Sequence, residues 1–338
     1  MPHDALDKLI GDSFPRDTLA LYGRWAQLEG WLRELVYTEL RARQGSGWEQ
    51  AIDRRTASRS DRDEINGYMA SADRSDLLSY LDVGLLFQLI DDNWELFEAC
   101  LLPRVRWLGL AHELLAIRHR IAHVRRPHRD DLARVEQALR DLDHGARVFY
   151  AAYAQERRFG NTGAVATGWR RGGHPTAERL MEHAARQYGT RFTLRASARP
   201  WAPDAKAHLG DAGSLWHAQW MQVGSGEADP VEFWEGLGSL RGEAGRDAQK
   251  LAMHVLWSGP GSLEITFPAV EDQRAIADAI GQCFDVLLMQ TRRTSVAQID
   301  GEAWQRWTAK GDLLPGRVQV GSLLSLAAPD MPFRVLEP

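Results

Sequence analysis

The sequence predicts an α-helical bundle of four or more helices followed by a smaller α+β domain. Apolar residues recur at helical spacing over four long segments of the N-terminal half, whereas the C-terminal half mixes short alternating segments with helical ones. A length of 338 residues is suited to about two domains. We therefore predict a helical bundle at residues 1–156, a Gly-rich linker at 157–175 and an α+β domain at 176–338.

Four helices are expected in the first domain, at residues 17–43, 75–101, 104–125 and about 130–155. A polar excursion rich in Gly, Ser and Asp (45–75) separates the first two helices. The other connections are short, and Pro103 and Pro127 bound the third helix. Short connections make consecutive helices antiparallel neighbours, so the pattern predicts an up-and-down bundle.

The third helix shows the clearest core-facing side. Its apolar residues recur at alternating steps of four and three, which places them on one stripe: Leu110, Leu114, Ile117, Ile121 and Val124. We expect this stripe to pack against the other helices of the bundle.

The second domain mixes helical and alternating patterns. Helices are expected at 176–188 and 273–290, and strands at 191–196, 214–223, 253–257 and 263–267. Trp216, Ala218 and Trp220 would share one face of a strand. That face is either a stacking platform for nucleic-acid bases or, as we favour, part of the core.

Composition limits the class of protein. The hydrophobic fraction of 44% is typical of globular chains, and a net charge of −5 argues against nucleic-acid binding over the whole surface. No apolar run approaches the ~20 residues of a transmembrane helix, and the N-terminus lacks the features of a signal peptide. We therefore expect a cytoplasmic protein without membrane contact. Cys100 and Cys283 are far apart in sequence and are expected to be reduced, buried thiols.

One basic segment stands out in this acidic chain. Residues 118–129 read Arg-His-Arg-Ile-Ala-His-Val-Arg-Arg-Pro-His-Arg, with five arginines, three histidines and no carboxylate. A histidine can transfer protons near neutral pH, and an arginine can hold phosphate oxygens with its planar guanidinium. RNA supplies its own nucleophile, the 2′-hydroxyl, so a site in this segment that cleaved RNA would need no metal. The flanking arginines would raise the local affinity for the RNA backbone: Arg120, Arg125, Arg126 and Arg129.

The Arg118-x4-His123 pattern in the third long helix of a bundle resembles the HEPN superfamily of helical ribonucleases. The resemblance covers residues of about 17–155 and implies that Arg118 and His123 are the catalytic pair. His119 stands where the family often has Asn or another polar residue, and we take it as auxiliary. Family ribonucleases typically act as dimers with facing motifs, need no metal and leave a 2′,3′-cyclic phosphate.

The resemblance also implies a biological role. It suggests an endoribonuclease, with tRNA as a candidate substrate, that serves as a toxin or anti-phage abortive-infection effector. Expected partners are RNA, a second copy of the chain that completes a composite site, and an antitoxin or phage-derived trigger; no cofactor is expected. The second domain would then sense the trigger or restrain the nuclease.

Helical geometry poses a difficulty for this pair. Residues five apart on an ideal helix point about 140° apart, so Arg118 and His123 would face different directions. Their convergence needs a loosened final turn before Pro127 or a second subunit.

Three other interpretations remain open. A metal site could use His119 and His123 with His112 on the same face, although the Glu of the zincin pattern is missing. The basic run could simply place cations at a helix C-terminus, where the helix dipole favours them. A non-catalytic module that only dimerises and binds RNA or a partner is the third.

Overall fold

The structure is a computed structural model that describes residues 16–52, 56, 58–59, 61–62, 77–123, 125–156, 163–199, 201, 212–222, 226–240, 248–293 and 301–321. It divides into two compact units. Among the described residues, the first unit contains those of 16–37 and 81–151, and the second contains those of 38–80 and 152–321. No described helix is long and apolar enough to cross a membrane.

Helix α1 (Arg16–Gln44) contributes a regular apolar side to the first unit. The side chains that it buries there are spaced by three or four residues or adjoin such a position: Leu21, Trp25, Leu28, Trp31, Leu32, Leu35 and Val36. The predicted helix at 17–43 is therefore confirmed within one residue at each end.

The helix predicted at 75–101 is wrong as a single element. The chain forms a 3₁₀ turn (Leu77–Tyr80), α2 (Val83–Asp92) and α3 (Trp94–Phe97). The Asp82 side chain accepts a 2.9 Å hydrogen bond from the Gly84 N–H and starts α2. Asn93, at φ −121° and ψ 37°, ends it. A capping acid and a non-helical residue thus interrupt an apolar pattern that is otherwise continuous.

Helix α4 (Arg104–Ala122) buries a side that overlaps the predicted stripe in part, because Leu114 and Ile117 of the stripe are buried. Its buried residues are Trp107, Ala111, Leu114 and Ile117. Leu110 and Ile121 are only half-buried, and Val124 lies outside the described residues. The Trp107 ring packs edge-on against Phe87, with 5.5 Å between centroids. This large indole, which the stripe omitted, belongs to the buried side of the helix together with Ala111.

Helix α5 (Asp131–Ala154) approaches the segment after α3 closely at Gly145. An ideal Cβ at Gly145 would lie 1.8 Å from the Cys100 carbonyl oxygen. Only a residue without a side chain permits this contact, so Gly145 is a packing requirement of the first unit. Cys100 is a buried cysteine, as is Cys283 in the second unit.

The second unit is built on a mixed sheet. Its described strands are β1 (Thr190–Ala198), β2 (Ser214–Gln222), β3 (Gly226–Glu227), β4 (His254–Gly259), β5 (Ser262–Pro268), β6 (Arg292–Arg293) and β7 (Val318–Val320). Five of them form one sheet in the order β1-β2-β5-β4-β7. Neighbours are antiparallel except for β4 and β7, and β3 pairs with β6 separately. The predicted α+β character of the C-terminal region is confirmed.

Helices cover one face of this sheet. They are α6 (Ala177–Tyr188), α7 (Pro230–Ser239), α8 (Ala248–Leu251), α9 (Gln273–Gln290) and α10 (Gly301–Thr308). Trp216, Ala218 and Trp220 belong to this core and have no exposed surface. The favoured interpretation of that strand face as core packing is confirmed, and it offers no surface for stacking bases.

The opposite face of the sheet holds a buried polar layer. His217 lies between Ser197, whose Oγ is 2.7 Å from Nε2, and Thr266, whose Oγ1 is 3.0 Å from Nδ1. The Tyr153 hydroxyl donates to Thr266 at 2.7 Å and lies 2.8 Å from the His254 ring. Burial lowers the pKa of His217 to about 4, so its imidazole is neutral at neutral pH.

Part of the segment predicted as a linker contributes to the second unit. Residues 166–170 form a π-helical turn, and Trp169 is buried with its Nε1 donating to the Ala277 carbonyl at 2.8 Å. Residues 157–162 of that segment lie outside the described residues, as does most of the predicted excursion at 45–75, where only the start is seen as a 3₁₀ helix (Gly45–Ala51).

Candidate functional site

The basic segment begins on the last turns of α4 and continues through the connection to α5. Ala122 is the last helical residue and His123 is the C-cap, at φ −97° and ψ 14°. The Arg125 N–H then donates to the Arg120 carbonyl at 2.9 Å, the six-to-one bond of a Schellman-type ending. The helix therefore ends in a loosened turn at His123. Such a turn is one of the two alternatives by which Arg118 and His123 could be brought together.

Arg120 is engaged with the start of α5. Its guanidinium donates two hydrogen bonds to the Asp131 carboxylate, at 2.7 and 2.5 Å. Asp131 is buried and also accepts the backbone N–H of His128 at 2.9 Å. One carboxylate thus ties the end of α4 to the turn that carries the remaining basic residues.

Charge and burial act together on this pair. Burial opposes ionisation of Asp131, but the hydrogen bonds from Arg120 and His128 and the positive charge of Arg120 hold its pKa below the ordinary value. The hydrogen bond that Arg120 donates to Asp131 raises the pKa of Arg120 in turn. The ion pair is therefore fully charged at neutral pH, and the guanidinium of Arg120 is directed into the protein.

Arg118 lines a groove of about 360 Å³ between α1 and α4. The exposed ring of Tyr22 and the paired side chains of Glu29 and Arg33 belong to the same groove. Arg118 is half-buried and has no ion pair or side-chain hydrogen bond with the described residues. Its guanidinium is consequently available to an anion.

His119 and His123 lie on the exposed side of α4. Their rings are nearly parallel, with an interplanar angle of 14° and 6.4 Å between centroids. No hydrogen bond joins either of them to Arg118 in the described part of the chain. A single copy of the protein therefore presents Arg118 in a groove and His123 on a neighbouring surface.

The remaining basic residues lie in the turn after α4. Arg125, Arg126 and Arg129 are exposed, and none is ion-paired within the described residues. Arg126 and Arg129 line a second groove, of about 620 Å³, whose other walls are the start of α1 and the start of α5. Asp17 and Glu136 belong to those walls, so cationic and anionic side chains face the same space.

The histidines do not assemble a metal centre in the described residues. No group of three or more His, Cys, Asp or Glu side chains comes together there with metal-ligand geometry. His119 and His123 therefore have no third protein ligand from the described part of the same copy.

Two residues of this region were missed by the sequence analysis. Asp131 gave no sign of a role in the site, because its pairing with Arg120 spans eleven residues and a proline turn. Tyr22 gave no signal in the sequence, since a tyrosine on the polar side of a helix is ordinary. Its position opposite Arg118 depends on how α1 packs against α4.

An Arg and a His five residues apart at the end of α4, within a helical unit, are the pattern that resembles a HEPN-type domain. In agreement, residues 25–146 match the family described as Swt1-like HEPN. The N-terminal part of the chain is a Swt1-like HEPN domain, and a mixed α/β region with a five-stranded sheet follows it. HEPN domains typically bind RNA. Neither the curated proteins nor the solved structures include a significant match.

Proposed function

We propose that this protein is an endoribonuclease that cleaves RNA through its own 2′-hydroxyl, without a metal. The observation that carries the proposal is the placement of Arg118 and His123 at the loosened end of α4 in a HEPN domain. Arg118 is unpaired within the described residues, and His123 is exposed. A residue that binds a phosphate needs a charge without a competing ion pair, and a residue that transfers a proton must be accessible to the RNA.

The proposed reaction is a transesterification. The 2′-oxygen forms a bond to the adjacent phosphorus while its proton passes to a base, and the bond from phosphorus to the 5′-oxygen breaks. The leaving 5′-oxygen takes a proton from an acid. The products are a 2′,3′-cyclic phosphate and a 5′-hydroxyl. Arg118 neutralises the charge that grows on the non-bridging oxygens, and His123 acts as base or acid.

A second copy of the chain would complete this site. One imidazole cannot accept one proton and donate another in the same step, whereas two copies supply two His123 side chains. The exposed side of α4 suits such a contact because Val105 is 86% exposed and Leu108 is also exposed. Gly109 has open space beside it, which allows close approach of another backbone.

The other basic residues have separate roles in this proposal. Arg125, Arg126 and Arg129 hold the RNA backbone, because all three are exposed and lie beside the catalytic pair. Arg120 was also assigned to the RNA from the sequence. Its bidentate pair with Asp131 supports a positioning role, in which it holds the turn that carries the other three.

The biological role that we propose is that of a toxin or abortive-infection effector. The HEPN domain would cleave cellular RNA, with tRNA as the candidate substrate, and the α/β region would respond to an antitoxin or a phage-derived trigger. Induced expression in a bacterial host tests this role. Growth should stop with the wild-type chain and continue with the Arg118→Ala/His123→Ala variant at equal protein level; equal growth of both contradicts the toxin role.

The enzymatic proposal is tested by incubating purified protein with total tRNA in EDTA. We expect cleavage by the wild type and its loss in Arg118→Ala and His123→Ala. Arg106→Ala and His144→Ala are matched controls, because both residues are exposed in the same unit and outside the proposed site. They should cleave as the wild type does.

The products and the alternatives are distinguished in the same assay. Fragments should end in a cyclic phosphate, and a substrate with a 2′-deoxy nucleotide at the cleavage position should bind without being cut. Equal background cleavage by all five proteins contradicts the enzyme and favours a non-catalytic RNA- or partner-binding module. Cleavage that EDTA abolishes favours a metallohydrolase.

A further inference from the structure

The groove that contains Arg118 is lined by more polar and aromatic groups than the binding of a phosphate alone requires. It runs between α1 and α4 and has a volume of about 360 Å³, within the ~300–1,000 Å³ range of small-ligand sites. Along α1 it is lined by an aromatic ring, a carboxylate and a position without a side chain, namely Tyr22, Glu29 and Gly30. Arg118 is on the α4 side.

Tyr22 provides a stacking surface. It is 63% exposed, although the indole of Trp25, one turn further along α1 in the same groove, is almost fully buried. Burial of a large ring stabilises a fold, so an aromatic residue left in solvent at the mouth of a groove contributes little to folding. Every nucleobase has a flat face that stacks on such a ring.

Glu29 provides hydrogen-bond acceptors deeper in the groove. A carboxylate has about four acceptor positions. Trp25 Nε1 occupies one at 2.6 Å and Arg33 occupies another. Arg33 is held in place by the Leu81 carbonyl at 3.2 Å, so the Glu29–Arg33 pair is fixed. The remaining capacity can accept from the amino or imino N–H of a base.

Gly30 keeps the groove open. An ideal Cβ on Gly30 would have no atom within 4 Å, so a side chain there would occupy the groove without displacing any described neighbour. Gly23, on the same helix, is equally open but does not line the groove. The two glycines are therefore a matched pair for testing occupancy.

We infer that the α1–α4 groove is a base-binding subsite for single-stranded RNA. The base stacks on Tyr22 with its amino or imino edge toward Glu29, while the phosphate attached to its nucleotide meets Arg118. This inference deepens the proposed ribonuclease function and rests on it for the identity of the ligand. It makes Tyr22 and Glu29 determinants of which nucleotide flanks the cleaved bond.

Binding to two probes tests the subsite separately from cleavage. The protein carrying His123→Ala is titrated, in EDTA, against a fluorescein-labelled single-stranded RNA with all four bases and against an abasic ribose-phosphate strand of the same length. The base-bearing strand should bind more tightly. Gly30→Leu and Tyr22→Ser should weaken its binding about tenfold while changing binding of the abasic strand by less than about twofold.

Matched variants keep this result specific. Gly23→Leu places the same side chain on the same helix outside the groove, and Tyr22→Phe keeps the ring; both should bind as the parent does. Thermal unfolding of each variant verifies the fold. The inference is overturned if Gly30→Leu binds RNA like Gly23→Leu, or if both strands bind equally.

The outcome is independent of the cleavage assay. If the wild type does not cleave tRNA but the Gly30→Leu loss persists, the base subsite stands and the ribonuclease proposal fails. If the wild type cleaves and Gly30→Leu changes neither RNA binding nor the nucleotides found at the cut ends, the ribonuclease proposal stands and the subsite fails.

Discussion

Arg120 on α4 and Asp131 on α5 form a two-point ion pair across the proline turn that separates their helices. Because Asp131 also accepts the His128 N–H, this single carboxylate fixes both the end of the motif helix and the turn beyond it. His123, the C-cap of α4, lies three residues after Arg120. The pair therefore links the stability of the first unit to the geometry of the proposed site.

Replacing Asp131 with Asn should cost about 1–3 kcal/mol of unfolding free energy, because the half-buried Arg120 loses its charged partner. Cleavage of tRNA should fall severalfold as the turn loosens, without being abolished. Urea unfolding and initial cleavage rates measure the two effects. Asp130→Asn is the control, since Asp130 is exposed and has no ion pair within the described residues.

The same variant has an expected pH dependence. The folded protein holds the pKa of Asp131 below its ordinary value, near 3.9 in an unfolded chain. The stability that the Asp131 carboxylate contributes is thus fully present above the unfolded pKa, and it is lost as the pH falls through the lower pKa of the folded protein. The difference between wild type and Asp131→Asn should shrink at acidic pH; a constant difference from neutral pH downward would contradict the charge argument.

Val105→Asp should separate dimerisation from folding. The residue lies in the first turn of α4, where an added acid is favourable for the helix, and its side chain is exposed in one copy. We expect an unchanged melting temperature, a shift from dimer to monomer in sedimentation and loss of cleavage. Leu313→Asp places the same charge on an equally exposed apolar residue elsewhere and should change none of these. Cleavage by a monomeric Val105→Asp protein would contradict the composite site.

Mixed dimers offer an independent test of shared catalysis. When wild-type and His123→Ala chains are co-expressed in equal amounts, a site that needs both copies is active only in wild-type pairs, about one quarter of the total. Independent sites would retain about half of the activity. Mixing with His144→Ala should leave the activity intact. Specific activity at known mixing ratios therefore distinguishes the two arrangements.

Much of the fold was predictable because local patterns agree with the final packing. The helix Gln273–Gln290 matches its predicted bounds, since Asp272 caps it and most of its apolar residues are buried in the core of the second unit. The predicted helix at 75–101 failed because periodicity alone does not register Asp82 as a cap. The stripe on α4 was predicted in part, because Leu114 and Ile117 are buried but the aliphatic pattern omitted Trp107 and Ala111.

The candidate site was predictable in its residue types but not in its arrangement. The reversal of charge at 118–129 and the Arg118–His123 spacing are visible in the sequence. The pairing of Arg120 with Asp131, and the position of Tyr22 across the groove from Arg118, depend on helix packing. Contacts between residues far apart in sequence have no local signature, so these roles had to come from the structure.

Gly145→Ala should destabilise the first unit strongly. The new methyl group would overlap the Cys100 carbonyl oxygen, and a backbone atom cannot move aside as a flexible side chain can. We expect a loss of about 1–3 kcal/mol or more, measured by urea unfolding. Gly23→Ala, in open space on α1, should instead stabilise by up to about 1 kcal/mol through helix propensity. Equal effects at both positions would show that the close approach is relieved at no cost.

The buried polar layer of the second unit should make the stability of that unit depend on pH, above the pH range in which carboxylates titrate. Burial lowers the pKa of His217 to about 4, whereas an unfolded histidine titrates near 6.5. Between these values the unfolded chain binds a proton that the folded chain does not. The unfolding free energy therefore has its full value above about pH 6.5, and it declines by up to about 3 kcal/mol as the pH falls toward 4.

His217→Gln tests this origin of the pH dependence. Glutamine can still hydrogen-bond to Ser197 and Thr266 but does not titrate. Whatever stability the variant loses at neutral pH, the decline of its unfolding free energy between pH 6.5 and 4.5 should therefore be smaller than that of the wild type. Urea unfolding at several pH values measures both slopes. His144→Gln removes an exposed histidine and should keep the wild-type slope. If His217→Gln also keeps it, protonation of His217 does not limit the stability of the sheet in acid.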